Sequence, residues 1–179
     1  MAIRRILKLG DPRLERISDP FPRSSWELLP ALLQDLRDTL ADAGGVGIAA
    51  PQIGVQYRVI LIGSASQDRY PDRPRLPLQA LINPELSAIE EPNNEELPFW
   101  EGCLSVPGYR GEVWRREQIR CCYLDPRGKE RDERFGGFAA RVLQHECDHL
   151  DGVLYPSRIK DPDRFDKLSV LTERGFIAP

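Results

Sequence analysis

The sequence predicts an α+β fold in which short strands form small, mostly antiparallel sheets around one central helix, with a further helix near each end. Strand-like segments are collected in the middle of the chain, and turn-forming residues separate them. Helical periodicity occurs before and after these strands and does not alternate with them. A length of 179 residues is typical of one domain, so we expect a single domain over residues 1–179.

The first part of the chain is predicted to be an extended, proline-punctuated arm over residues 1–23, followed by a helix over residues 24–43. Leucines recur in the helix at three- and four-residue steps: Leu29, Leu32, Leu33, Leu36 and Leu40. Ser24 and Glu27 form a candidate capping box, but Pro30 fits poorly deep inside a helix. The helix is therefore expected to start between Ser24 and Leu29.

A glycine-rich turn follows this helix and leads into the strands. The turn covers residues 43–54 (AGGVGIAAPQIG), and a strand is predicted over residues 57–63 (YRVILIG). The proline-rich segment 71–77 (PDRPRLP) is expected to be a surface loop. Further strands are expected around residues 80–83 and 86–91.

The second half of the chain is predicted to contain a hairpin and two helices. Residues 93–111 are rich in turn formers and are expected to be irregular. Two strands over residues 117–125 and 130–135 then flank the turn sequence PRGK and predict a β-hairpin. A helix is predicted over residues 137–150, where it stops at Asp-Gly, and a shorter C-terminal helix over residues 162–171.

The composition excludes several classes of protein. Hydrophobic residues make up 41% of the chain and charged residues 30%, as in globular proteins, and no run of 18 apolar residues could span a membrane. The net charge is −3 and basic residues are dispersed among acidic ones, so no nucleic-acid motif stands out. We therefore expect neither a nucleic acid nor a membrane as a partner.

The N-terminal segment and the cysteines indicate the compartment. Acidic residues and prolines soon follow the start of the chain, where a secretory signal would need a long apolar stretch. The four cysteines lack the density of a secreted disulfide scaffold, so we expect reduced thiols. Both features indicate a cytoplasmic protein, or an organellar one if the chain is a mature form without its transit peptide.

The helix at residues 137–150 carries both histidines of the chain, in the sequence VLQHECDHLDG. His145 and His149 are four residues apart and lie on one side of the helix, with Glu146 beside them. The core-facing side is expected to consist of four other residues: Ala139, Leu143, Cys147 and Leu150. H-E-x-x-H on a helix is a site at which two imidazoles bind a metal ion and the glutamate acts as a general base. We therefore expect the central helix to bind a metal ion.

A catalytic ion held by two histidines needs one more protein ligand and one open position. Cys147 is on the far side of the helix and cannot reach the same ion, so it is expected to be a small buried side chain. Cys121 and Cys122 lie in a predicted strand, where one of them could point inward. Cys103 is favoured, because it lies in the glycine-flanked segment EGCLS and a thiolate is a good ligand for zinc or iron.

Three segments together resemble the signature motifs of peptide deformylases. They are GVGIAAPQ at residues 45–52, EGCLS at residues 101–105 and QHECDH at residues 144–149. The order and the separations of these segments also resemble the family pattern. The sequence departs from that pattern at Ile48, where leucine is common, and at Cys147, where methionine is frequent.

The resemblance implies an activity, a metal and a partner. Peptide deformylases remove the formyl group from the N-terminal formyl-methionine of new polypeptides. The implied substrates are N-formyl-methionyl nascent peptides, reached near the exit tunnel of the ribosome in a bacterial cytoplasm or an organelle. The implied cofactor is one divalent metal ion, Fe²⁺ in the cell, with Zn²⁺, Ni²⁺ or Co²⁺ as alternatives in purified protein.

The resemblance also implies roles for individual residues. Three side chains are the metal ligands: Cys103, His145 and His149. Glu146 is the acid and base of the reaction. Gln52 and the backbone N–H of Leu104 stabilise the negative charge that develops on the substrate carbonyl oxygen.

The glycine-rich segment is expected to adjoin the substrate. Gly45 and Gly47 either let the backbone approach a substrate or merely end the preceding helix, and Ile48 lies beside them. Glu101, next to the proposed cysteine ligand, would either orient a metal ligand or pair with Arg115.

The metal-facing side of the central helix predicts the substrate pocket. Phe138 and Val142 precede His145 on this side and would wall an apolar cavity for a methionine side chain. Ordinary core packing would explain these two residues as well. Arg141 is expected at the rim, with its guanidinium in water and within reach of the peptide.

Two other functions remain open on the residues alone. A metallopeptidase would use the same H-E-x-x-H motif to cut an amide bond. A zinc-stabilised binding domain without activity would need no base, so Glu146 disfavours it. Cys103 as the third ligand, together with Gln52, distinguishes a deformylase from a metallopeptidase.

Overall fold

The computed structural model describes residues 2–64, 76–91 and 94–177 and confirms the predicted α+β class. The helices are α1 (Leu29–Ala43), α2 (Gly137–Leu150) and α3 (Leu168–Glu173). The strands are β1 (Gly47–Ala49), β2 (Val59–Ile62), β3 (Gln79–Ala88), β4 (Glu96–Cys103), β5 (Val106–Arg116), β6 (Gln118–Leu124), β7 (Glu130–Gly136) and β8 (Phe165–Lys167). Most of the predicted surface loop, residues 71–75, lies outside the described residues.

Within these ranges the strands form two antiparallel sheets. The larger sheet has the order β1-β2-β3-β6-β7, and the smaller sheet has the order β4-β5-β8. The predicted hairpin is confirmed as β6 and β7. Helix α2 packs on β1 and β2 of the larger sheet and also contacts β5 of the smaller sheet. The helix with both histidines therefore lies where the two sheets meet.

Helices α1 and α2 cover opposite faces of the larger sheet. Side chains alternate along β2, so Val59 and Leu61 pack with the leucines of α1, whereas Ile60 and Ile62 pack with α2. All four side chains are fully buried. Burial of one such side chain contributes about 1.5–3 kcal/mol, so β2 anchors the sheet between the two helices.

Helix α1 begins at Leu29, inside the predicted interval. A 3-10 turn precedes it, and Pro30 lies in the first turn of α1, where a missing N–H removes no helical hydrogen bond. The predicted capping box of Ser24 and Glu27 is wrong, because the N-cap residue is Leu28 and makes no side-chain cap bond.

The predicted strands at residues 80–83 and 86–91 are joined in one strand, β3, which ends at Ala88, so residues 89–91 are not part of it. Its pairing with β6 is interrupted between Ile82 and Glu85, and Asn83 there has a φ of 52°. An interruption of this kind is a bulge, which bends a strand without ending it. The residues between the two predicted strands, Asn83 to Glu85, therefore form a bulge within one strand and not a turn between two strands.

Residues 93–111 were expected to be irregular, but most of them form the β4–β5 hairpin. Pro98 lies in an edge strand, where a missing N–H is tolerated. A Cβ atom on Gly111 would lie 2.5 Å from Cδ1 of Ile159, so this glycine permits close packing and makes no turn. The hairpin matters for function because it carries Cys103 at the end of β4.

The predicted C-terminal helix over residues 162–171 also needs correction. A 3-10 turn, Pro162–Arg164, leads into β8, which pairs with β5, and α3 begins only at Leu168. Leu171 of α3 is fully buried. Helix α3 therefore directly follows a strand of the smaller sheet.

Helix α2 has the predicted bounds. Leu143, Cys147 and Leu150 are buried in the core, as expected, but Ala139 is half-buried and Ala140 takes its place. The buried apolar side of α2 is thus wider than predicted, because both the larger sheet and β5 of the smaller sheet pack against the helix. Among the described residues, no helix is long and apolar enough to cross a membrane.

Candidate metal centre

Three potential metal ligands meet between the hairpin and α2. Cys103 ends β4, and His145 and His149 lie one turn apart on α2. One donor atom from each lies within 4.8 Å of the other two, and all three side chains are buried. Cys103 Sγ is 3.2 Å from Nε2 of His149. The structure therefore brings together the three residues that the sequence predicted as ligands.

The Cys103 side chain is held by groups that stabilise a thiolate. The backbone N–H of Ser105 donates to Sγ at 3.3 Å, and Nε2 of Gln52 lies 3.6 Å from Sγ. Burial acts to raise the pKa of the thiol, but the charge of His149 and hydrogen bonds from both histidines lower that pKa well below its usual value. A thiolate is the form of cysteine that binds metal ions.

All four cysteines lie in the described ranges and are free, as predicted. Cys121 and Cys147 are buried in the core on the far side of α2 from the ligands. Burial raises the pKa of Cys121 to about 12 and that of Cys147 well above its usual value, so both remain thiols.

Glu101 fixes the orientation of the His145 ring. One carboxylate oxygen of Glu101 lies 2.9 Å from Nδ1 of His145. Both oxygens also accept hydrogen bonds from Arg115, at 2.7 and 2.9 Å. Glu101 therefore makes both of the contacts considered for it, one with a metal-ligand histidine and one with Arg115. Because Glu101 occupies Nδ1, the other ring nitrogen of His145 remains for a metal ion.

A buried chain of ion pairs continues from Glu101 to the surface. Arg115 donates to Asp148 at 2.6 Å, and Asp148 also accepts two hydrogen bonds from Arg158, at 2.6 and 2.5 Å. Burial acts to raise the pKa of Glu101, but Arg115 and His145 lower it to about 2. Glu101 is therefore ionised at neutral pH and supports His145 as a charged partner.

Glu146 is buried beside the ligands in a different environment. Its Oε2 atom has no hydrogen-bond partner among the described residues. Burial raises the pKa of Glu146 to about 7, although the nearby charges of His145 and His149 act in the opposite direction. A carboxyl group with this pKa can both accept and donate a proton at neutral pH.

The backbone of Gly47 packs so closely against Glu146 that a side chain at position 47 would collide with it. A Cβ atom at this position would be 2.8 Å from Cδ of Glu146, and closer still to Oε1. The sequence suggested that Gly47 either makes room for a substrate or ends the preceding helix, and the structure shows that it makes room for the glutamate.

Gln52 is buried and its amide is held in one orientation. Its Oε1 atom accepts a hydrogen bond from the backbone N–H of Ala49 at 2.8 Å. Its Nε2 atom is therefore directed to Cys103 and to Oγ of Ser105, which is 3.1 Å away. Ser105 was not predicted as a site residue. The sequence signal for it was its place as the last residue of the segment EGCLS, two residues after Cys103.

A cleft of about 370 Å³ opens beside the ligands. Most predicted site residues line it: Gly45, Gly47, Gln52, Cys103, Leu104, Phe138, Arg141, Val142, His145 and Glu146. Val142 lines the cleft and also packs in the core. The sequence missed Phe99, Trp100 and Arg110 in this lining, because they lie in the segment that was expected to be irregular.

Two predictions about the cleft are wrong. Ile48 does not line it but is fully buried in the core under α1, since it points to the opposite face of β1 from its neighbours. Arg141 does not extend its guanidinium into water. The guanidinium lies over the ring of Phe99 and pairs with Glu117 at 3.1 Å.

The donor set fits one soft or borderline metal ion. Tetrahedral bonds of about 2.0–2.3 Å place neighbouring ligands roughly 3.5 Å apart, which is close to the observed separation of Cys103 and His149. One thiolate and two imidazoles suit zinc or iron better than magnesium or calcium. Three protein ligands leave one position open, as at catalytic sites. The fold and this site define a metal-dependent hydrolase.

Comparison with known proteins identifies the family. The polypeptide deformylase family model matches residues 3–165. Peptide deformylase 1 of Bordetella pertussis is 49% identical over 169 residues, which cover 94% of each chain. A crystal structure of class I type b peptide deformylase from Acinetobacter baumannii, bound to Met-Ala-Ser, has a TM-score of 0.81 and 38% identity, covering 88% of this chain and 99% of that one. The chain belongs to the peptide deformylase family.

Proposed function

We propose that this enzyme hydrolyses the formamide of N-terminal formyl-methionine on new polypeptides and releases formate. Family membership supports the reaction. The observation that carries it in this chain is the buried Glu146 carboxylate, which adjoins three metal ligands at the end of a cleft. A purely structural metal site would have no use for such a group.

A divalent ion held by Cys103, His145 and His149 would act as a Lewis acid and lower the pKa of a water molecule. Glu146 accepts the proton of this water and later donates it to the amine that leaves. Its pKa near 7 suits both steps, because the proton is transferred in each direction at similar cost.

Gln52 and Leu104 are proposed to stabilise the charge on the formyl oxygen. The fixed amide of Gln52 presents Nε2 towards Cys103, and Leu104 adjoins Cys103 in the hairpin turn. Lys8 donates to the carbonyl oxygen of Leu104 at 2.7 Å and so helps to hold this peptide unit. Loss of one such donor typically costs about 2.7–4 kcal/mol in the transition state.

The methionine side chain is proposed to lie against Phe138 and Val142. Both residues line the cleft on the side of α2 that carries His145 and Glu146. Gly45 and Gly47 also line the cleft, where they add no side chains. Arg141, held over Phe99, is proposed to contact the peptide near the rim.

We further propose Fe²⁺ as the metal in the cell, with Zn²⁺, Ni²⁺ or Co²⁺ as substitutes in purified protein. The thiolate and imidazole donors support all four ions. We expect metal analysis of protein purified under argon to find iron as the main metal. Zinc as the main metal in that preparation would contradict this proposal.

We also propose that the chain acts as one domain over residues 1–179, in a bacterial cytoplasm, on nascent chains near the ribosomal exit tunnel. The bacterial relatives, which match along nearly the whole chain, support this setting. The protein should then sediment with ribosomes that carry formylated nascent chains. Equal sedimentation with and without ribosomes would contradict the contact.

One assay tests the proposed reaction. Iron-loaded protein, kept under argon, is incubated with formyl-Met-Ala-Ser, and formate and Met-Ala-Ser are quantified. We expect equal amounts of the two products and no cleavage of unformylated Met-Ala-Ser. Cleavage of the Met-Ala bond would instead indicate a peptidase. Glu146→Gln serves as the control, since it should bind metal but release no formate.

A further inference from the structure

The C-terminal segment contacts a wall of the substrate cleft. Trp100 of β4 lines the cleft, and its ring stacks on Phe176 with ring centroids 6.1 Å apart and an angle of 26°. The guanidinium groups of Arg164 and Arg174 lie 4.5 and 4.7 Å from the centroid of the Phe176 ring. Phe176 therefore connects the end of the chain to the cleft.

The backbone after α3 fixes the position of Phe176. The N–H of Phe176 donates to the carbonyl of Leu171 at 2.9 Å, and the N–H of Gly175 donates to the carbonyl of Thr172 at 3.0 Å. Gly175 has a φ of 73°. These two bonds and the left-handed glycine form a Schellman motif, which sets the direction of the chain after a helix.

This helix end is itself attached to the hairpin that forms the cleft wall. Strand β8, directly before α3, pairs Lys167 with Tyr109 and Phe165 with Gly111 of β5. Leu171 is fully buried, so α3 cannot rotate freely. The ring of Phe176 therefore follows a helix that is fixed to the smaller sheet.

The distance from Trp100 to the ligands indicates which part of a peptide it meets. Trp100 precedes Cys103 by three residues in β4, and three residues of a strand span at most about 10 Å. An extended peptide advances about 3.3–3.6 Å per residue. A substrate that has its formyl group at the ligands and runs along β4 would reach Trp100 with its second and third residues.

We propose that Phe176 is a positioning residue for the substrate, which holds Trp100 in place as the wall for the second and third residues of the peptide. This inference rests on the proposed deformylase function. Loss of one stacked aromatic pair corresponds to a change of about two- to twelvefold in an equilibrium constant. Loss of Phe176 should raise KM only for substrates of two or more residues, since formyl-methionine amide does not extend to Trp100.

The test compares Phe176→Ala with the wild type on formyl-Met-Ala-Ser and on formyl-methionine amide. We expect KM for the tripeptide to rise about three- to tenfold, with kcat, metal content and the kinetics of the amide unchanged. Phe176→Tyr should restore KM, because it restores the stacked ring. Leu168→Ala, an exposed site on the same helix, is the matched control and should have no effect.

A second measurement is independent of turnover. The Kd of metal-loaded protein for unformylated Met-Ala-Ser, measured by calorimetry, should rise by a similar factor in Phe176→Ala. Trp100→Ala should raise it as well, and the double variant no further. An unchanged tripeptide KM and Kd in Phe176→Ala, or equal KM changes for both substrates, would overturn the proposal. Absence of formate release from either substrate by the wild type would instead refute the proposed function.

Discussion

The close approach of Gly47 to Glu146 gives a sharp test of the proposed base. An alanine Cβ at position 47 would lie 2.8 Å from Cδ of Glu146, whereas carbon atoms in contact are about 3.5–4.0 Å apart. Glu146 would have to move by roughly 0.7 Å or more. The substitution itself is tolerable for the backbone, since Gly47 lies in an extended strand and outside the left-handed region.

The expected size of the effect follows from this displacement. A shift of about 1 Å in a catalytic group can cost roughly 10²-fold in rate, and a general base contributes about 10²–10⁴-fold. We therefore expect Gly47→Ala to lower kcat for formate release about 10²-fold. Metal content should stay near one ion per chain, because the three atoms nearest to the added methyl group all belong to Glu146, which is not a ligand.

The matched control is Gly136→Ala. A Cβ atom there would meet its nearest neighbour, Cγ of Gln118, at an ordinary 3.8 Å, and the φ of Gly136 is −131°. This variant should keep wild-type kcat, metal content and melting temperature. If Gly47→Ala retained kcat within about twofold of the wild type, Glu146 would not need its observed position, and its role as the base would be refuted.

Four further substitutions separate the roles of the site residues. Glu146→Gln should retain metal and lower kcat about 10²–10⁴-fold, which metal analysis and formate release check together. Cys103→Ser should change the absorption spectrum of the Co²⁺ form, because the thiolate ligand is lost; an unchanged spectrum would exclude it as a ligand. Glu101→Gln should weaken metal affinity about 10- to 100-fold, as measured by competition with a chelator. Val142→Phe should raise KM for formyl-Met peptides more than for formyl-Ala peptides, and an unchanged ratio would move the methionine pocket elsewhere.

The central helix could be predicted from sequence because its signals are local. The four-residue spacing of the histidines indicated a helix, Asp-Gly indicated its end, and the predicted bounds 137–150 are confirmed. A catalytic metal ion bound by two histidines needs a third protein ligand, and the thiolate of Cys103 was the favoured candidate. The structure places Cys103 beside the histidines. Neither step needed knowledge of the distant parts of the chain.

The part of the cleft lining formed by Phe99, Trp100 and Arg110 was not predicted, because its sequence signals are not local. Proline and glycine usually mark turns, but Pro98 is in an edge strand, and a side chain at Gly102 would collide with the guanidinium of Arg110. Stacking of Phe176 on Trp100 joins segments that are far apart in sequence. Only the folded sheet shows that these residues share a surface.

The two glutamates beside the ligands owe their different pKa values to their surroundings in the fold. Glu101 and Glu146 are both buried next to histidine ligands, yet hydrogen bonds from Arg115 and His145 outweigh burial and lower the pKa of Glu101 to about 2, whereas burial raises that of Glu146 to about 7. Carboxyl groups whose pKa values are pushed apart take different roles. Glu101 stays charged and orients His145, so proton transfer is left to Glu146. The hydrogen bonds from Arg115 on β5 to Glu101 on β4 therefore separate the roles of the two glutamates.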